Sequence, residues 1–180
     1  MRKRKMDELG RITPERFRTA DKFPMVFVLD NIRSMTNTGS VFRTADAFLL
    51  EEIVLCGLTG TPPHREIHKT ALGATESVAW RYFAKTTDAI RQLKAEGYVV
   101  IALEQTTHSL GLIKFTPLKN RKYALVFGNE VKGVDDGVLA LCDHCLEIPQ
   151  FGTKHSLNVA VAAGIVAWDF YCKAGGLIQK

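Results

Sequence analysis

Uninterrupted apolar runs alternate with helix-like stretches along most of the chain. The runs typical of buried strands are residues 25–29, 52–56, 98–103 and 123–127, with a short one at 146–148 and an extended stretch at 77–83. The patterns that predict helices cover residues 38–49, 67–72, 88–96, 135–141 and 157–171. Apolar strands separated by helices favour a mostly parallel sheet covered on both faces. The sequence therefore predicts one α/β domain.

The last predicted helix is apolar on every side. Residues 159–168 carry no polar side chain, and Ser156 just before them is the expected N-cap. A helix that is apolar all round must be covered all round. The sheet can cover one side, and a second copy of the chain is the simplest cover for the other. The pattern predicts a homodimer.

The composition narrows the class of protein. The 180 residues fit one domain, and 46% hydrophobic with 24% charged residues excludes a disordered or collagen-like chain. The longest uncharged apolar stretch, 159–168, is too short to cross a bilayer. The N-terminus lacks the apolar stretch of a secretory signal, so we expect a soluble, cytoplasmic protein without membrane contact.

Basic residues concentrate at the N-terminus. Residues 1–22 carry eight lysines and arginines against four acidic residues, which is +4 of the net charge of +5. We therefore divide the chain into a basic arm, 1–22, and a domain, 23–180. Such an arm attracts polyanions by releasing their counterions, although a merely solvated terminus is the alternative.

The four cysteines do not predict a metal site. Only Cys142 and Cys145 have the spacing of a metal or redox motif, and no second such pair accompanies them. Structural zinc needs four ligands, so we expect two packed thiols and no metal.

Three loops that follow predicted strands carry the candidate chemistry. Residues 30–40, 128–133 and 149–156 are rich in Gly, Asn, Ser and Thr, and ligands bind parallel sheets at the carboxyl ends of their strands. Standard nucleotide motifs are missing: no Gly-x-Gly-x-x-Gly follows a strand, and Val134 and Asp135 stand where a P-loop needs Lys and Ser or Thr. These loops alone predict an α/β enzyme for an anionic ligand, with simple turns as the alternative.

Taken in order, three sequence blocks resemble the SpoU, or TrmH-like, branch of the SPOUT methyltransferases. The blocks are Asn31-Ile32-Arg33 with residues 37–45, then 126–133, then Ile148-Pro149 with 156–159. Residues 62–64 and 69–74 are similar to members that act on tRNA. The resemblance covers about residues 25–170. It implies S-adenosyl-L-methionine as cofactor and methylation of a ribose 2′-hydroxyl of RNA, with tRNA favoured and rRNA possible.

The same resemblance implies the fold in more detail. It indicates a Rossmann-like, mostly parallel sheet with a C-terminal trefoil knot, in which the cofactor sits and whose helices form the homodimer. The cofactor-binding residues that it implies are Leu103, Glu104, Gly128, Asn129, Ile148, Ser156 and Leu157.

Arg43 is the catalytic residue that the resemblance implies. Because a guanidinium stays protonated, we expect Arg43 to hold an RNA phosphate and to stabilise charge on the 2′-oxygen. Asn37 is expected to orient Arg43 or contact RNA, and it can also be the N-cap of its helix. The arginine and the cofactor can come from opposite subunits. Glu130 is expected to orient neighbouring amides, and Asn158 to hydrogen-bond across the knot.

RNA contacts are expected from basic side chains in the arm and the loops: Arg2, Lys3, Arg4, Lys5, Arg11, Arg33 and Arg65. Two other functions stay open at this point. One is a catalytically inactive RNA-binding module on the same scaffold, and the other is a small-molecule α/β enzyme, for which the basic arm would be superfluous.

Overall fold

The computed structural model describes residues 1–5 and 7–174. In this part of the chain the strands are β1 (Phe23–Asp30), β2 (Leu50–Cys56), β3 (Ala79–Phe83), β4 (Val99–Leu103), β5 (Leu110–Gly111), β6 (Tyr123–Phe127) and β7 (His144–Glu147). The α-helices are α1 (Pro14–Thr19), α2 (Met35–Ala47), α3 (Arg65–Ala71), α4 (Ala74–Ser77), α5 (Thr86–Ala95), α6 (Asp136–Leu139) and α7 (Val159–Lys173). Short 3-10 turns lie at Asp7–Leu9 and Leu112–Lys114.

The strands form one sheet in the order β3-β2-β1-β6-β4-β7-β5, and neighbouring strands are parallel. This confirms the predicted α/β class with a parallel sheet. Because β6 inserts between β1 and β4, the loops that follow these three strands meet at one edge of the sheet. That edge is where a parallel sheet binds its ligands.

Alternate residues of the strands build two separate cores. Phe27, Leu29 and Leu125 face helices α1, α2, α3, α4 and α7, while Val28 and Val126 face α5 and α6. Side chains that alternate between two covered faces must all be apolar, which explains the uninterrupted hydrophobic runs of the sequence.

Two helix starts differ from the prediction. Helix α2 begins at Met35, and the hydroxyl of Ser34 accepts the Asn37 N–H at 3.2 Å, so Ser34 is the N-cap and the predicted capping role of Asn37 is wrong. Helix α7 is capped by Asn158, whose Oδ1 accepts the Ala160 N–H at 2.9 Å. The predicted capping role of Ser156 is wrong for the same reason: a better-placed capping side chain lies within three residues.

Helix α7 presents two different apolar faces. Its inner face, which includes Ala163, Val166 and Phe170, is fully buried in the core. Its outer face carries Val161, Ile165 and Trp168, three exposed side chains at the i, i+4, i+7 spacing of one helical stripe.

The end of helix α7 is anchored to the chain between β5 and β6. The Lys173 ammonium donates to the carbonyls of Leu112, Ile113 and Phe115 at 2.8, 3.3 and 3.0 Å, and pairs with Asp169 at 2.8 Å. Helix α7 is therefore held between α2 on one side and this segment on the other. Among the residues described, no helix is long and apolar enough to span a membrane.

An ion cluster ties β2, β3 and the end of α5 together. Arg81 makes a bidentate contact to Glu96 at 2.7 and 2.8 Å and a second contact to Glu52 at 2.8 Å. The hydrogen bonds from Arg81 lower the pKa of Glu96 to about 2 from an ordinary value of 4.5. A depressed carboxyl pKa stabilises the folded state above the unfolded pKa, and this contribution is lost as the pH falls towards 2.

We expect Glu96→Gln to lower the free energy of unfolding near pH 7 by about 0.5–1 kcal/mol, because the pair is partly exposed and screened. The difference from wild type should shrink steadily below about pH 4.5. Urea unfolding between pH 7 and pH 3 measures it. Equal unfolding midpoints of the two proteins at pH 7 would contradict a stabilising role for this pair.

Candidate functional site

A cavity of about 480 Å³ opens where the loops after β4, β6 and β7 meet. Its lining includes all seven residues that the family resemblance implies as cofactor-binding: Leu103, Glu104, Gly128, Asn129, Ile148, Ser156 and Leu157. The structure thus gathers three distant stretches of chain around one space. The size suits a small-molecule ligand, whose sites typically measure about 300–1,000 Å³.

Gly128 lines the first cavity where the loop after β6 begins. A Cβ at this position would stand 2.1 Å from the Val134 amide nitrogen and 2.2 Å from the Gly133 carbonyl carbon. No side chain fits, because both obstacles are backbone. The glycine is therefore required by the chain's own loop, which folds back over it, whatever ligand approaches from the cavity.

Glu104 fixes the same loop from the neighbouring strand. Its Oε2 accepts the Val134 N–H at 3.0 Å, and its Oε1 accepts the Gln105 N–H at 2.9 Å. Gly133 has a φ of +72°, and a Cβ there would stand 2.2 Å from the Glu104 carboxylate. The loop after β6 is thus held by two glycines and one carboxylate.

Asn129 connects the loop after β6 to the loop after β1. Its Nδ2 donates to the Asn31 carbonyl at 2.7 Å, while its Oδ1 accepts the amides of Val131 and Lys132 at 3.0 and 3.1 Å. Backbone hydrogen bonds in both directions between Asn129 and Gly133 close the loop. The side chain of Asn129 is therefore occupied in shaping the cavity wall.

A chain of hydrogen bonds joins all three sequence blocks at the rim of the cavity. The Glu130 carboxylate accepts the amides of Arg33 and Ser34, both at 3.1 Å, and the Asn37 Nδ2 at 3.2 Å. The Oδ1 of Asn37 in turn accepts the Asn158 Nδ2 at 3.1 Å. Burial raises the pKa of Glu130, but these donors outweigh it and hold the pKa below its ordinary value.

These contacts bear on two expected roles. The Glu130 carboxylate accepts hydrogen bonds from the backbone amides of Arg33 and Ser34, as expected of a carboxylate that orients neighbouring amides. The side-chain amide of Asn37 hydrogen-bonds to Glu130 and Asn158. Within the described chain it makes no direct contact with Arg43 through which it would orient the arginine.

Arg43 lies elsewhere, on the outer face of α2. Together with Lys69 it lines a second cavity of about 470 Å³ between α2, α3 and the Gly164 position of α7. In the described part of the chain, Arg43 is not among the residues that line the first cavity. The second cavity adjoins the exposed stripe of α7, and it holds two cations in one place.

The other basic residues predicted to bind RNA are all exposed. Arg33 follows β1 beside Glu130, and Arg65 begins α3. In the arm, Arg2 pairs with Glu8 at 2.7 Å, whereas Lys3, Arg4, Lys5 and Arg11 extend into solvent.

Cys142 and Cys145 pack against backbone carbonyls. Their thiols donate to the carbonyls of Val138 and Glu104, both at 3.3 Å. Burial raises the pKa of Cys142 to about 12 and that of Cys145 above its ordinary value, so both thiols are protonated near neutral pH. Within residues 1–5 and 7–174, no group of three His, Cys, Asp or Glu is arranged to hold a metal ion.

The sequence prediction missed several residues of the first cavity. Gln105, Gly133, Glu147, Gln150, His155 and Ala162 also line it. Each lies within five residues of a predicted site residue, so proximity along the chain was the available signal. Their side-chain directions depend on loop conformation, which periodicity does not specify.

The comparison with protein families agrees with this geometry. Residues 24–168, most of the chain, match the SpoU rRNA methylase family. The chain belongs to this family. The match covers the three sequence blocks and both cavities, so the resemblance derived from the blocks is confirmed.

Individual SpoU proteins show the same likeness. The 23S rRNA (guanosine-2′-O-)-methyltransferase RlmB of Neisseria meningitidis is 31% identical over 79% of this chain and 56% of its own length. The tRNA (guanosine(18)-2′-O)-methyltransferase of Borreliella burgdorferi is 28% identical over 81% of this chain and 65% of its own. The AdoMet-bound rRNA methyltransferase structure from Sinorhizobium meliloti superposes with a TM-score of 0.78 at 29% identity, covering 90% of this chain and 61% of that one. The chain spans less than two thirds of these relatives.

We expect Gly128→Ala to destabilise this SpoU domain by about 1–3 kcal/mol, the usual cost of overpacking, because the new methyl group meets backbone that must shift. The matched control is Gly152→Ala, which meets no atom within 4 Å and should change stability by less than about 0.5 kcal/mol. Urea unfolding compares the two variants. A Gly128→Ala protein as stable as the control would show that the loop over Gly128 is not tightly packed.

Proposed function

We propose that this protein is a cytoplasmic, S-adenosyl-L-methionine-dependent RNA methyltransferase that acts on a ribose 2′-hydroxyl. The substrate is tRNA or rRNA, with tRNA favoured on the likeness of residues 62–64 and 69–74 to members acting on tRNA. The observation that carries the proposal is the single cavity that the loops after β4, β6 and β7 build from the SpoU blocks. The activities named for its relatives support it.

The first cavity suits this cofactor in both shape and charge. Leu103, Ile148 and Leu157 offer apolar surface for an adenine ring, and the loop after β6 offers backbone groups. In the described chain, three carboxylates, those of Glu104, Glu130 and Glu147, line it against one lysine, Lys132. This charge favours a cationic sulfonium over the anionic ligand that the loops alone predicted. When bound there, the cofactor supplies a methyl group that is already activated, so the protein's task is to align the accepting hydroxyl.

Arg43 is proposed to align that hydroxyl. It is exposed beside Lys69, and two neighbouring cations suit the phosphates that flank a ribose. A guanidinium stays protonated, so Arg43 holds an adjacent phosphate and stabilises negative charge on the 2′-oxygen rather than removing its proton.

A homodimer is proposed to complete the active site. Arg43 and the first cavity lie apart in one chain, whereas the second cavity adjoins the exposed apolar stripe of Val161, Ile165 and Trp168. Pairing two copies through this stripe covers the apolar surface and brings Arg43 of one protomer towards the first cavity of its partner. An exposed apolar stripe on a helix is a common dimer contact.

We also propose the trefoil knot of the SPOUT fold. In this proposal the chain from β7 to α7 passes beneath the segment between β4 and β6. The contacts of Lys173 to the carbonyls of Leu112, Ile113 and Phe115 support this crossing, because they tie the end of α7 to that segment. The proposed arm, 1–22, supplies further cations for RNA.

The decisive experiment measures transfer of labelled methyl groups from S-adenosyl-L-methionine to tRNA and rRNA, with the modified ribose mapped afterwards. Arg43→Ala should lower kcat by about 10²–10³-fold, as loss of a positioned charge usually does, while the cofactor affinity measured by calorimetry stays unchanged. The matched control is Arg91→Ala, an exposed arginine on α5, which should retain full activity. Full activity of Arg43→Ala would contradict the catalytic role, and cofactor binding without transfer to either RNA would favour an inactive RNA-binding module.

We expect Ile165→Asp to convert the dimer to a monomer, because it places a charge in the centre of the apolar stripe. The monomer should still bind the cofactor, yet it should not transfer methyl groups. Light scattering gives the mass, and Leu118→Asp, which changes an exposed apolar residue outside α7, serves as the control. A fully active monomer would contradict an active site shared between subunits.

A further inference from the structure

We infer that the edge strand β3 carries a stacking surface for unpaired RNA bases, formed by Trp80 and Tyr82 and called here the edge platform. This inference rests on the proposed function, because RNA is the ligand that it names. It adds a binding surface that is separate from both cavities.

The edge platform lies on the outermost strand of the sheet. Among residues 1–5 and 7–174, strand β3 pairs with β2 alone, so one side of it is open in this part of the chain. Trp80 and Tyr82 are two residues apart and therefore point to the same face. They remain 37% and 48% exposed with the arm in place. Two rings on one sheet face are the arrangement with which other sheets stack successive bases.

The platform is held in place before any ligand arrives. The Tyr82 hydroxyl donates to the Gly57 carbonyl at 2.9 Å, which fixes the ring against the loop after β2. Leu58, the next residue, is 72% exposed and extends the apolar surface. This hydrogen bond restricts the Tyr82 ring, so little conformational entropy is lost when a base stacks on it.

Helix α1, near the end of the basic arm, docks against the helix that leads into this strand. Phe17 of α1 is buried in the core, and Arg18 donates twice to the Glu76 carbonyl, at 3.0 and 3.2 Å. Glu76 belongs to α4, which leads directly into β3. The arm residues Lys3, Arg4 and Lys5 therefore extend from a helix that is docked next to the platform. Cations beside exposed aromatic rings are the combination by which proteins bind single-stranded RNA.

The charges on β3 itself do not serve the platform. Arg81, between the two rings, points to the opposite face and is paired with Glu52 and Glu96. Stacking and charge therefore reside in different residues. This separation allows the two contributions to be measured independently, and it favours RNA over a second copy of the chain, for which a basic arm would be repulsive.

The test measures the affinity of the full-length protein for an unstructured RNA oligonucleotide at several salt concentrations. Trp80→Ala and Tyr82→Ala should each weaken binding about tenfold, the usual effect of removing one stacked base contact, without changing the salt dependence. Replacing Lys3, Arg4 and Lys5 by Gln should reduce the slope of log K against log salt by up to about 2. The control, Leu118→Ala, removes an exposed apolar side chain elsewhere and should change neither the affinity nor the salt dependence.

Fluorescence gives a second measurement that does not depend on how these variants fold. The chain has two tryptophans, so Trp168→Phe leaves Trp80 as the only one. Stacking of a base on Trp80 should quench its emission as RNA is added. An emission spectrum that RNA leaves unchanged would overturn the inference.

The remaining outcomes separate this inference from the proposed function. With the natural RNA, Trp80→Ala should raise KM and leave kcat unchanged. If the wild-type protein methylates RNA while the platform variants bind it as tightly as the control does, the inference alone fails. If the wild-type protein neither binds nor methylates RNA, the proposed function fails and the platform with it. A change of mass in the platform variants would assign the surface to a second copy instead.

Discussion

Three loops from distant parts of the chain are joined by hydrogen bonds that run from Glu130 to Asn37 and on to Asn158. The carboxylate at one end also accepts two backbone amides at the start of α2, and charged acceptors make the stronger hydrogen bonds. At the other end, Asn158 caps α7. These contacts are exposed, so removing one member leaves its partners to water and costs about 0.5–1.5 kcal/mol, the net contribution of a typical hydrogen bond.

This chain of hydrogen bonds sets where each functional group lies. It fixes the first turn of α2, and Arg43 follows Asn37 by six residues, about 9 Å further along a rigid helix. It also fixes the start of α7, whose first residues border the first cavity and whose later ones carry the apolar stripe. The two cavities are therefore held in a constant relation by two helices, although they share no lining residue within the described chain.

Much of this arrangement could be predicted from the sequence, and the exceptions have physical causes. Fully buried parallel strands must be apolar throughout, so β1 and β6 are visible as hydrophobic runs. The caps were misplaced because Ser34 and Asn37, or Ser156 and Asn158, lie close together and all are good caps. The need for Gly128 could be seen from its block, but its cause could not: the backbone of Gly133 and Val134, five and six residues later, folds over it.

The order of the strands in the sheet could not be predicted from hydrophobic patterns or capping residues, and this order creates the site. Placing β6 between β1 and β4 brings Glu130 to Asn37, which lies 93 residues earlier in the chain. Local secondary-structure propensities do not predict such a long-range contact. With β6 there, α7 packs against α2 on one side and the segment between β5 and β6 on the other, which leaves its outer face exposed next to the cavity that Arg43 lines. The helix whose start borders the first cavity thus also carries the apolar stripe, so the proposed cofactor site and the proposed dimer share one structural element.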